Sequence, residues 1–133
     1  MNGIIFLIES EAINLYAKLI QNKIEDKHYW DARVLEMNTC FFGDEVTITF
    51  EGTDYNVKLS FTGCSQFSFV TSVEDRLQPL RDLTKSQIPY FIQDIKISKH
   101  KINDEKNLLK CHILMPPLRV EIVCTNIFID EDG

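Results

Sequence analysis

The chain has 133 residues, enough for one domain whose core needs no disulfide or metal staple. With 44% hydrophobic and 26% charged residues it has the balance of a globular protein and not of a disordered or fibrous one. The net charge of −6 and the dispersal of its Lys and Arg residues argue against nucleic acid as a direct ligand.

The N-terminal segment is apolar only from Ile4 to Ile8 and meets Glu9 and Glu11 at once. That run is too short for a signal-peptide core or a membrane span and has no basic leader, so the expected location is the cytoplasm. Residues 4–8 read as a short strand, or as the lead-in to the helix that follows. Ser10 offers an N-cap oxygen ahead of Glu11. Ile13, Tyr16, Ala17, Leu19, Ile20 and Ile24 then recur at three- and four-residue intervals, which predicts an amphipathic helix. Asn14, Lys18, Gln21, Asn22 and Lys23 make its polar face.

Residues 28–40 lead into a strand with Val34, Glu36 and Asn38 on one side and Leu35 and Met37 on the other. Gly43-Asp44 marks a turn. Val46, Ile48 and Phe50 then alternate with Glu45, Thr47, Thr49 and Glu51. After the Gly52-Thr53-Asp54 turn, Tyr55, Val57, Leu59 and Phe61 repeat the pattern, so these two strands form a hairpin with one wet face. Thr62-Gly63-Cys64-Ser65 turns the chain into residues 66–71, predicting a three-strand meander.

The alternation fails over residues 71–89, where Ser72 with Asp75 resembles a capping box and Leu77, Leu80 and Leu83 offer apolar pins. Strands resume with Phe91, Ile95 and Ile97, then with residues 108–115 after a turn at 102–107. Lys96, Lys99 and Lys101 with His100, the only local concentration of cations, read as a solvated strand end. Pro116-Pro117 forces a break. Leu118, Val120, Ile122 and Cys124 run inward while Ile127 and Ile129 fall on the other parity, which calls for a bulge or bend near Thr125-Asn126. The tail from Asp130 to Asp132 reads as wet and frayed. The predicted class is α+β: one long N-terminal helix on a mostly antiparallel sheet of six to eight strands, in a single domain over residues 1–133.

Chemistry is sparse. Cys40, Cys64, Cys111 and Cys124 share no short spacing and read as free thiols. Cys64, after a glycine turn, is the one candidate nucleophile, yet neither charge nor spacing nominates His28, His100 or His112 as its base. Cys111 and His112 with Cys124 and Cys40 lack zinc-knuckle spacing, and neighbours on a strand face opposite ways. Neither a metal nor a cofactor is expected. Asp44, Glu45, Glu51 and Asp54 cluster on the first hairpin, as a solvated face or as an acidic contact patch for a basic partner. Trp30, within His28-Tyr29-Trp30-Asp31-Ala32-Arg33-Val34, reads as the anchor of the helix-to-sheet junction, with Asp31 bonding the turn.

That string, the strand at residues 45–50 and Lys58-Leu59-Ser60-Phe61-Thr62-Gly63-Cys64 together resemble small bacterial immunity proteins. These are intracellular antidotes to polymorphic toxins and contact-dependent growth-inhibition toxins. The closing strand pair, residues 108–115 and 118–129 centred on Val120-Glu121-Ile122, is similar as well. The resemblance implies stoichiometric binding of a cognate toxin domain and no catalysis; a basic nuclease toxin would suit the acidic balance. It places no contact residue, so the candidates remain Asp44, Glu45, Glu51 and Asp54, with residues 71–89 second. A cysteine-dependent enzyme and a domain that dimerises through a sheet edge are the rival readings.

Overall fold

The computed structural model describes residues 2–72, 78–103 and 106–132. Among the described residues a 24-residue helix, α1 (Asn2–Glu25), precedes eight strands. These are β1 (Val34–Cys40), β2 (Glu45–Glu51), β3 (Asn56–Thr62), β4 (Gln66–Thr71), β5 (Asp94–Asn103), β6 (Lys106–Met115), β7 (Leu118–Cys124) and β8 (Asn126–Asp132). The α+β class expected from sequence is the one observed. The strands divide into two four-stranded antiparallel sheets, ordered β1-β2-β3-β8 and β4-β7-β6-β5. Alternation records which face of a strand is wet, not which strand lies beside it, so the division shows in the pattern only as the change of parity near Thr125.

Residues 4–8 belong to α1 and not to a strand. A five-residue apolar run carries no period of its own, and a formed helix adds residues at its end more readily than a new element nucleates. Ser10 therefore lies inside the helix. Ala17, Ile20 and Ile24 enter the core, while Leu19 stays exposed. Gln21, on the expected polar face, turns instead to the sheet. Its Nε2 donates to the Ile95 carbonyl at 2.9 Å, and its Oε1 accepts from the Ile97 amide at 2.7 Å. The Tyr29 hydroxyl lies 3.3 Å from the same carbonyl. β5 is the outer strand of its sheet, so these side chains occupy backbone groups that a ninth strand would otherwise take. Among the described residues no helix is long and apolar enough to cross a membrane.

β2 and β3 pair as expected, with Val46, Ile48, Phe50, Val57, Leu59 and Phe61 all buried. In β1 the register shifts between Val34 and Glu36. Val34 pairs with Phe50 and Met37 with Ile48, so the irregularity brings Val34 and Met37 to one face against the expected parity. The meander ends at β3. Its second edge takes β8, and β4 crosses to pair with β7. Both crossings occur at one corner. The Thr125 amide donates to the Thr62 carbonyl at 3.0 Å, and the Ser65 amide to the Val123 carbonyl at 2.8 Å. Gly63 sits there at φ +63°, and a Cβ on it would stand 2.6 Å from the Thr125 Oγ1. The parity change near Thr125 is thus the bend by which the chain leaves one sheet for the other.

The tail is paired throughout, in register with β3 from Asn126↔Thr62 to Asp132↔Asn56. Glu131 forms an ion pair with Lys27 and accepts a 2.8 Å hydrogen bond from the Tyr55 hydroxyl. Phe91 lies outside β5 and forms an isolated bridge with Arg33. Residues 80–82 and 85–87 are single 3-10 turns; Leu80 and Ile88 pack against the core. The Asp75 and Leu77 parts of the readings over residues 71–89 lie outside the described residues.

Candidate partner-binding surface

The β1–β2 hairpin and the turn into β3 carry an acidic run, flanked by Arg33 before it and by Lys58 opposite Thr49. Residues 34–57 contain Glu36, Asp44, Glu45, Glu51 and Asp54 and no Lys, Arg or His. Strand alternation turns Glu45, Thr47, Thr49 and Glu51 away from the buried Val46, Ile48 and Phe50. The four expected contact residues do not make one cluster. Asp44 and Glu45 stand at one end of β2, Glu51 and Asp54 at the other, about 20 Å away by strand rise. Arg33 Nε approaches Glu51 at 3.9 Å and partly offsets the second pair. The first pair has no cation against it in the described ion pairs.

Beside Asp44 and Glu45 lie two residues that sequence reasoning passed over. Phe41 and Phe42 form the hairpin tip, Phe41 73% exposed and Phe42 fully so. Their φ angles are +52° and +56°, followed by Gly43 at +91°. The Asp44 amide closes the turn on the Phe41 carbonyl at 3.1 Å. Left-handed backbone suits Gly43, but it costs a residue with a Cβ about 1–2 kcal/mol. Asn, Asp or Gly ordinarily fills such places. The signal available in the sequence was a Phe-Phe pair abutting Gly-Asp: apolar residues at turn positions.

The remaining candidates resolve differently. Tyr29, not Trp30, anchors the helix-to-sheet junction; it is buried, while Trp30 stacks on its ring at 4.3 Å and stays 49% exposed. Asp31 holds the turn through its backbone, its amide donating to the Ile92 carbonyl at 2.7 Å from a φ of +62°. Cys64 is half-buried, with Sγ 3.5 Å from the Phe61 carbonyl oxygen. Burial first, and the Asp44 carboxylate second, push its thiol up to about 11, the reverse of what a nucleophile needs. Cys111 and Cys124 are buried and likewise raised, mainly by burial, while His112 faces out. Among the described residues no group of three His, Cys, Asp or Glu side chains is placed to hold a metal ion.

The second-choice region borders a cleft of about 900 Å³ between the outer strands β1 and β4, lined by Met37, Phe69, Leu80, Ile88 and Met115 among others. Its lining is mainly apolar, with Glu36, Asn38, Thr71, Arg81 and Tyr90 as the polar members.

A family model described as Immunity protein PIM7 matches residues 16–131. The chain belongs to that immunity protein family. No curated protein matches it. The matched span takes in the C-terminal part of α1 and nearly all of both sheets, so the hairpin lies wholly within the family domain. Membership in this immunity family implies a cognate toxin as partner and neutralisation by binding; immunity proteins of this kind are generally not catalysts.

Proposed function

We propose that this immunity protein silences its cognate toxin domain by direct, stoichiometric binding, and that the outer face of the β1–β2 hairpin meets a basic surface of the toxin. The observation that carries the reading is the unbroken sign of residues 34–57: five carboxylates and no cation. Arg33 and Lys58 flank this stretch, Arg33 against Glu51 and Lys58 opposite Thr49, and further cations lie on the other sheet. Register sets Lys96 beside His112 and His112 beside Glu121 on the outer face of the other sheet, where Lys110 pairs with Glu121 at 2.8 Å. A molecule divided in this way presents its negative face to a positive partner and is steered there before contact.

Asp44 and Glu45 are the principal contacts in this reading, and Glu51 with Asp54 form the far rim. The partner face is one that grips an anionic substrate, as in a nuclease, so covering it blocks the toxin without any chemistry by the immunity protein. Occlusion of this kind needs neither a metal nor a reactive thiol. The test is co-expression with the toxin domain encoded beside this chain. Protected cells and a copurifying one-to-one complex are expected; unprotected cells and no complex would remove the proposal.

A further inference from the structure

The geometry points to Phe41 and Phe42 as the apolar anchors of the toxin contact, seated in a pocket on a basic face of the toxin domain. The inference rests on the binding role proposed above and names the side chains that give the contact its hold. Both rings are exposed on a three-residue turn, and neither supports the core. Both sit on left-handed backbone, where a phenylalanine is a poor choice for folding. A feature that folding alone disfavours, at the most protruding point of a hairpin, is explained by what it touches outside the chain. Aromatic side chains with few torsions, ringed by charge, are the usual composition of an energetic centre in an interface.

The charge beside the tip selects the occupant. Asp44 and Glu45 follow the tip directly, Glu36 lies up β1, and no cation falls within residues 34–57. A second copy of this chain would bring the same carboxylates against them in a two-fold contact. An anionic lipid surface would be repelled by the same groups. A basic protein face with an apolar recess satisfies both the rings and the rim.

The test compares wild type, Phe41→Ser/Phe42→Ser and, as a control on another exposed aromatic, Phe128→Ser, each titrated against the purified toxin domain encoded beside this chain. The double variant keeps its fold, read by circular dichroism and a melting temperature no lower than wild type, because its side chains leave no core position. Its affinity falls about a hundredfold, and the control stays within threefold of wild type. A double variant that binds within threefold of wild type overturns the inference and leaves the binding role standing. A wild type that does not bind overturns both. Wild type that sediments as a dimer while the double variant stays monomeric would make the tip a self-contact and overturn it as well.

Discussion

Phe42 shows how far a single residue departs from what its neighbours in sequence suggest. At φ +56° on an exposed turn it carries strain with no burial in return. Phe42→Asn therefore raises stability by about 1 kcal/mol in urea denaturation, since asparagine tolerates the left-handed region. No gain would mean that the turn is not strained as described. Cys64 makes the opposite point. Its thiol, raised to about 11, stays protonated in the folded chain through the pH range where an unfolded thiol ionises. Stability from this group is thus fully present below the ordinary thiol value and declines as pH rises through the folded one. Cys111 and Cys124, raised in the same direction, add to that alkaline loss. At mildly alkaline pH, mass spectrometry after brief alkylation finds the exposed Cys40 modified well before Cys64. Rapid labelling of Cys64 would instead support a reactive thiol.

Among the elements, β2, β3, β6 and β7 were legible because each pairs a buried face with a wetter one, a period that few other structures produce. β1 was read as a strand but its parity was not, because the irregularity near Leu35 changes it and an inserted residue leaves no compositional mark. The Thr125 bend was visible as a change of parity, but not that it joins two sheets, since pairing partners are settled by tertiary packing. The acidic residues Asp44, Glu45, Glu51 and Asp54 were read from charge alone, on the β2–β3 hairpin. The aromatic tip of the β1–β2 hairpin was not, because two phenylalanines beside strands look like core until the backbone turns them out. Gln21 is the element-scale counterpart: a polar residue on a helix, read as solvated, that closes the edge of β5. Gln21→Ala leaves the Ile97 amide and the Ile95 carbonyl without these bonds and costs about 1–3 kcal/mol. Native-state hydrogen exchange checks it directly: the Ile97 amide loses protection in the variant, whereas unchanged protection would deny Gln21 that role.

At the scale of the whole molecule, the proposed contact rests on how the fold places charge. One core joins the two sheets and the helix, with Phe50 and Phe61 from the first sheet meeting Ile113 and Ile122 from the second in the same cluster. That core holds the acidic hairpin on one sheet and the Lys96–His112–Glu121 row on the other, so a net charge of −6 acts as a directed surface. Whether this surface binds the toxin is decided by the affinity of a charge-neutralised hairpin at low and high salt. Glu36→Gln/Asp44→Asn/Glu45→Gln binds the toxin domain at least tenfold more weakly at low salt, mainly through slower association, with most of the wild-type salt dependence gone. Equal affinity and equal salt dependence in the two proteins would contradict the proposed contact.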